Sequence, residues 1–488
     1  MEHQGNALPI IQLLMNPTCY PQPVDRVTLV QTHISDIFLA GPFAYKVKKP
    51  VNLGFLDYST LDRRAYYCRR EVELNRRLCP DLYLGVQPIV ATAKGARIGG
   101  DGEPLDWCVV MKRLPEDRLL SALLVKGDVD VASIIAVAQK LANFHAQSKT
   151  GDEIDEYGHP AQIRVNTDEN FRQIRPYLGE SITPSQHDYL SAYVDAFLDK
   201  NERLFSERVT QHRIRDCHGD LHASSVCLAE DIWIFDCIEF NDRFRYGDVA
   251  AEVAFLAMDL ERYGRADLAW HFVDAYRRAS DDPLPDLLLD FYACYRALVR
   301  AKVQSFKLTD PAFPAEEKNA AKDIARVYVD LATAHAGLIQ RPSLVLINHH
   351  DTQSTTRAQD ISRRFGLVHL APIRPVTRPG RPGSSQQPGD TIGVERYRKE
   401  VENDVDADLL VQTREWLRRG RGVIVEKPMT SPGGWSRERE LAQQFGIPLL
   451  ELDSGDPAGM ASGTTVDDDR RNLAFTLRNA ASNPRKRF

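Results

Sequence analysis

Asp220 and Asp236 stand 16 positions apart (236 minus 220), each beside an apolar run, and that spacing constrains what folds between them. It is enough for a loop, a strand, a turn and a second strand that bring both carboxylates back to one cleft. The surrounding strings are His218-Gly219-Asp220-Leu221-His222 and Ile234-Phe235-Asp236. Phosphoryl transfer from a nucleotide needs one carboxylate to orient an acceptor hydroxyl and take its proton. It needs a second, at a strand end, to hold Mg²⁺ against the phosphates. Asp220 has the surroundings for the first role and Asp236 for the second. An H-x-D-L string alone is common, but the pair in this apolar setting is not.

Composition narrows the field around that pair. The 488 residues fit about three compact units, or two large ones. The 62 basic and 68 acidic residues leave a net charge of -6, so the chain is no polycation for nucleic acid. No stretch approaches the ~18 apolar residues of a membrane-spanning helix. Ala7 to Met15 is interrupted by Gln12 and lacks a basic leader, which makes it a poor signal peptide. The eight cysteines are scattered without a C-x-x-C pair, which argues against a disulfide framework or a zinc ribbon. The expectation is a cytoplasmic chain with reduced thiols, no membrane partner and no nucleic acid.

The pattern along the chain changes twice. The first ~110 residues predict a sheet-rich lobe, with strands at Arg26 to Thr32, Ile37 to Ala40 and Ala44 to Val47. A helix is predicted over Leu61 to Leu78, capped by Ser59 or Thr60 and stopped by Pro80, and a strand over Trp107 to Met111. From about Asp130 the spacing turns helical, at Val131 to His145 and Tyr189 to Leu204, with a β-rich insert at Cys217 to Phe240. Helices resume from Asp248 to about Ala336. A second unit begins near Pro342, with strands at Ser343 to Asn348, Gly366 to Leu370, Gly422 to Glu426 and Pro448 to Leu452. Predicted helices at Thr355 to Phe365, Leu409 to Arg419 and Arg437 to Phe445 alternate with them, as in βαβ units with a parallel sheet. Pro372 to Asp390 reads as a proline-rich loop, and 454–488 as a polar tail ending in Arg485-Lys486-Arg487.

The strings around Asp220 resemble the catalytic loop of the aminoglycoside phosphotransferase family of kinase-like enzymes. Residues ~10 to 335 are similar to the first half of bacterial two-domain proteins that join such an enzyme to a P-loop kinase. The similarity runs through Thr32-His33-Ile34-Ser35, Ala44-Tyr45-Lys46, Lys48-Lys49-Pro50-Val51, Leu53-Gly54-Phe55-Leu56-Asp57 and Phe235 to Arg245. It implies an α+β, protein-kinase-like two-lobed domain over 1–338, with lobes at about 1–112 and 113–338. An α/β parallel-sheet, P-loop-like domain over 342–453 would follow it. It implies ATP and Mg²⁺ as cofactors, a small-molecule hydroxyl as acceptor, Asp220 as the catalytic carboxylate and Asp236 on the metal. Lys46 resembles the lysine on the ATP phosphates, and Glu71 the acid that pairs with it. Lys48 shares the same strand face and is a rival, because side chains repeat every two residues. Glu71, in an arginine-rich helix, reads equally well as an ordinary surface ion pair.

Departures in each half qualify the resemblance. The second metal ligand of H-R-D-L-x-x-x-N falls on Ser225, whose shorter reach lowers metal affinity and attenuates activity. The P-loop slot reads Asn348-His349-His350-Asp351-Thr352-Gln353-Ser354-Thr355-Thr356, without its glycines or lysine, so the phosphate nest is lost. His218 and His222 support the loop, and His145 is a buried helix histidine. Glu239 and Asp242 border the acceptor or the metal. The expected function is an ATP- and Mg²⁺-dependent phosphotransferase. The alternative is a catalytically weakened nucleotide-binding sensor or scaffold.

Overall fold

The computed structural model describes residues 10–337 except Lys94 and Ala312. Beyond them it describes 343–348, 355, 358–359, 362, 367–371, 406–418, 421–427, 434–447 and 449–452. Most of 348–356, where the sequence reading expects a P-loop slot, lies outside the described residues, as do the proline-rich stretch 372–390 and the tail 454–488. Packing groups the chain into two compact units. One holds Met1–Asn166, Leu198–Asp259 and His271–Leu284; the other holds Thr167–Phe197, Leu260–Trp270 and Pro285–Phe488.

The first unit opens with a six-stranded sheet, built from β1 (Val27–Gln31), β2 (Ser35–Ala40), β3 (Phe43–Lys48), β4 (Tyr83–Thr92), β5 (Gly95–Ile98) and β6 (Pro104–Lys112). The spatial order is β1-β2-β3-β6-β4-β5 and every pairing is antiparallel. Alternation along β3 divides its side chains between two faces. Tyr45 and Val47 join a core with Leu14, Tyr20, Phe38, Ile89 and Cys108. Ala44 lies in the other core, with Cys68 and Val72 of the helix Leu61–Asn75. Lys46 and Lys48 share the Ala44 face. Thr60 caps that helix, its hydroxyl accepting from the Arg63 amide. The sequence reading passes over β4 because Gly85 and Pro88 interrupt it. The strand runs through both: the register against β6 slips between Tyr83 and Gly85, Pro88 stays paired opposite Trp107, and a second slip follows between Ile89 and Val90.

The predicted helix at Tyr189 to Leu204 is two helices, Pro184–Lys200 and Glu202–Thr210, broken at Asn201. The β-rich insert holds β7 (Ile214–Asp216), β8 (Val226–Leu228) and β9 (Ile232–Ile234), and β7 pairs with β10 (Tyr246–Asp248). Arg208 pins this region. Its guanidinium is fully buried, at 2.7 Å from Asp248 Oδ1 and 2.6 Å from Asp282 Oδ1. All eight cysteines are buried and none is in a disulfide.

The second unit carries a sheet of β11 (Leu344–Asn348), β12 (Val368–Leu370), β13 (Val423–Lys427) and β14 (Leu449–Leu452). The order is β12-β13-β11-β14 and each pairing is parallel. β11, β12 and β13 are buried at every position, as expected of a parallel sheet covered on both faces. Among the described residues, no helix is long and apolar enough to cross a membrane.

Replacing Arg208 by Met removes the guanidinium that pairs with the buried Asp248 and leaves the buried Asp282 with only the longer contact to Arg213, at 3.7 Å. Urea unfolding should show a loss of roughly 3–5 kcal/mol.

Candidate active site

Five charged side chains meet between the Lys46 face of β3 and the helix Leu61–Asn75. Lys46 Nζ lies 2.8 Å from Glu71 Oε1 and 2.7 Å from Asp236 Oδ1. Lys48 Nζ takes the other oxygen of the same acid, 2.6 Å from Glu71 Oε2, and also contacts Glu239 Oε1. Tyr58 donates its hydroxyl to that Glu239 oxygen. Glu71 is fully buried. Burial pushes its carboxyl upward, but the two lysines outweigh this and hold it near 2. Burial likewise lowers the Lys46 ammonium, and Asp236 and Glu71 more than restore it, well above the ordinary lysine range. Both lysines are therefore charged. The structure separates them by surroundings: Lys46 reaches Asp236, whose side chain is 58% exposed, whereas Lys48 is sealed at 1%.

His218 joins the segment of Asp220 to that of Asp236. Its ring is fully buried and kept below the ordinary histidine range by that burial. Nε2 lies 2.9 Å from the Phe235 carbonyl, so the neutral ring carries its proton there. Nδ1 then accepts from the Asp220 amide at 3.3 Å. The His218 carbonyl accepts from the Ile238 amide at 3.1 Å. Gly219, at φ +93°, could carry no Cβ without meeting the Phe244 carbonyl at 2.9 Å. Asp236 itself stands at φ +65°, which costs a non-glycine residue of order 1 kcal/mol or more. Tyr83 and Asn75 hold the segment in place, through the amides of Asp236 (3.2 Å) and Cys237 (2.9 Å).

The other expected residues take different places. Ser225 is buried, and its hydroxyl donates to the carbonyls of His222 and Asp220 while accepting from the His222 amide. It is the third residue of the short turn Ala223–Ser225, whose N-cap is His222, and the two close a capping box. Position in the string makes it the expected second metal ligand, and its hydroxyl hydrogen-bonds within the loop. His222 Nδ1 accepts from the Ser224 amide, and its Nε2 lies 3.5 Å from Asp220 Oδ2. Asp242 Oδ1 accepts from Arg245 at 2.6 Å. Glu239 is 6% exposed and is bonded to Lys48 and Tyr58.

Sequence reasoning missed the carboxylates that hold the backbone around Asp220 from behind. Glu252 accepts from the amides of His218 (3.0 Å) and Gly219 (2.6 Å), and Asp259 accepts from that of Ala223 at 2.8 Å. His145 Nε2 lies 2.9 Å from Glu252, and its Nδ1 lies 2.7 Å from the Tyr276 hydroxyl. A signal was present: Glu252 and Asp259 are acids seven apart in an otherwise apolar run, on one helix face. Burial raises the Glu252 carboxyl, but His145, His218 and the donated amides bring it down to about 2.

In the second unit, Glu426 at the end of β13 is buried. Thr355 Oγ1 donates to its Oε1 at 2.6 Å, and His369 Nε2 lies 2.8 Å from its Oε2. Lys427 pairs with Glu438 at 2.9 Å. His349, His350 and Asp351 lie outside the described residues.

No family model matches the chain. Uncharacterized proteins of Mycobacterium tuberculosis (strains H37Rv and CDC 1551) and Mycobacterium bovis are 34% identical to it over 322 residues. The match covers 65% of this chain and 62% of each relative, so the chain spans less than two thirds of the length of those relatives. Among solved structures, a choline/ethanolamine kinase family protein from Mesorhizobium loti is similar at 11% identity and a TM-score of 0.39. That match covers 67% of this chain and 97% of that one. An amicoumacin kinase in complex with AMP-PNP, Ca²⁺ and Ami matches at 15% and 0.40, covering 63% and 89%. A microcompartment-associated aminopropanol kinase matches at 14% and 0.38, covering 67% and 97%. These solved neighbours are small-molecule kinases, but superpositions this loose carry no activity from them to this chain.

Glu252→Gln removes a charge that the fold stabilises. The depressed carboxyl contributes fully above the ordinary value of about 4.5, and the contribution drains as pH falls toward about 2. Urea unfolding at stepped pH should show a deficit of roughly 3 kcal/mol for the variant at neutral pH. The deficit should shrink below pH 4.

Proposed function

We propose that this chain is an ATP- and Mg²⁺-dependent phosphotransferase acting on a hydroxyl group of a small molecule. The observation that carries the reading is the buried Lys46, shared between Glu71 and the half-exposed Asp236. The His218 ring, bonded to the segments of both aspartates, supports it. In this reading residues 1–338 hold the transfer chemistry, and 342–453 form a P-loop-like domain that no longer works on nucleotide.

The donor set fits the groups the reading requires. Asp236 offers an exposed carboxylate for a hard cation, which binds oxygen ligands, and Lys46 offers a fixed ammonium for phosphate oxygens. Bound there, Mg²⁺ neutralises phosphate charge, and ATP supplies the phosphoryl group. The chain's own residues do the rest. Glu71 keeps Lys46 from turning to solvent. Asp220, one-third exposed, orients the acceptor hydroxyl and takes its proton as the new oxygen–phosphorus bond forms and the bond from the γ-phosphorus to the departing ADP breaks. His218 and Glu252 keep the Asp220 backbone at a fixed distance from the Asp236 segment, so the carboxylate arrives preorganised.

A second reading, a nucleotide-binding sensor with weakened chemistry, is favoured by one observation: the Ser225 hydroxyl is spent within its own loop. That leaves Asp236 as the main protein ligand for the metal.

Asp220→Asn separates the two readings. Screened against a library of hydroxylated metabolites, the wild type should consume ATP only with Mg²⁺. The variant should lose about 10²–10⁴ of that rate while still binding Mg·ATP. A wild type that binds Mg·ATP and turns over nothing supports the sensor.

A further inference from the structure

The site contains one lysine more than phosphate binding needs, and that lysine is the better buried. Lys48 touches Glu71, Glu239 and Tyr58 and sits 4.8 Å from the centre of the Tyr58 ring. No part of this arrangement faces a ligand, since Lys48 and Tyr58 are almost wholly enclosed and Glu239 nearly so.

Counting charges shows what it does. Lys46 and Lys48 supply two positive charges against three negative ones on Glu71, Glu239 and Asp236. The four buried members cancel, and the surplus negative charge falls on Asp236, the member open to solvent. Without Lys48, Lys46 is the sole cation for three carboxylates, two of them buried. In a low dielectric those two would hold it strongly. The backbone of the Asp236 segment has independent anchors in Tyr83 and Asn75, so its position does not rest on Lys48.

We infer that Lys48 is a positioning residue that neutralises Glu239 and one oxygen of Glu71, and so leaves the Lys46 ammonium available to Asp236 and an incoming phosphate. This rests on the reading of Lys46 and Asp236 as a metal–nucleotide site. Glu239 belongs to the device as its counter-ion. It lies three residues beyond Asp236 and ties that segment to β3.

The device has a signature that a purely structural role lacks: it moves affinity for a cation and for an anionic nucleotide in opposite directions. The full chain is titrated with Mn²⁺ alone, read by paramagnetic resonance, and with Mg·ATP, read by calorimetry. Lys48→Met should bind Mg·ATP at least tenfold more weakly and Mn²⁺ more tightly. Glu239→Gln, which retains the shape and an acceptor for Tyr58, should bind Mn²⁺ more weakly without losing Mg·ATP. The double variant, with the wild-type charge balance, should recover part of the Mg·ATP affinity lost in Lys48→Met. If Lys48→Met does not fold, Glu239→Gln alone decides: equal weakening of both ligands, or of neither, overturns the inference. Variants that move both ligands the same way while the wild type binds both overturn the inference and leave the parent reading intact. A wild type that binds neither ligand overturns the parent reading, and the inference with it.

Discussion

Glu71 is held between two ammonium groups with no access to water, and this clamp organises the first unit. A buried carboxylate is costly unless both oxygens are met by good partners. Here β3 provides both, because Lys46 and Lys48 are two residues apart on one face. The helix Leu61–Asn75 must therefore lie across that face at one height, with Cys68 and Val72 packed beside the clamp. Each lysine then reaches onward, one to Asp236 and the other to Glu239. Sheet, helix and the segment after β9 thus meet through one acid.

Around that clamp the two key aspartates are placed by backbone hydrogen bonds. Glu252 grips two amides of the loop before Asp220, and Asp259 grips one after it. Tyr83 and Asn75 grip the amides at and after Asp236. Asp236 is kept at a positive φ that its side chain disfavours, and the surrounding hydrogen bonds offset that cost. Such a frame leaves the carboxylates themselves to face outward. Chemistry at the site depends on these groups rather than on the architecture they sit in.

Much of this was legible in the residues. The Asp220 and Asp236 strings, the two-residue repeat of Lys46 and Lys48, and the Thr60 cap could each be read locally, because strand alternation and helix capping are local rules. The rival roles of Lys46 and Lys48 were not separable, since both share a face and only tertiary burial distinguishes them. The local hydrogen bonds of the Ser225 hydroxyl were not legible either, because spacing in a string cannot show what a hydroxyl bonds within its own turn. β4 was hidden by Gly85, which a register shift against β6 accommodates, and by Pro88, which pairs opposite Trp107. In the second unit the alternation of strands and helices gave a parallel sheet. The bonds of Glu426 to Thr355 and His369 join residues 71 and 57 positions apart, and no local pattern announces them.

The central claim is that Lys46 and Asp236 together form a site for a metal-bound nucleotide. Calorimetric titration of the full chain with ATP, in the presence of Mg²⁺ and of a chelator, tests it most directly when wild type and Asp236→Ala are compared. The account predicts binding to the wild type that requires Mg²⁺, and loss of that Mg²⁺ dependence in Asp236→Ala. Wild-type binding that ignores Mg²⁺, or Mg²⁺-dependent binding that survives the substitution undiminished, would contradict it.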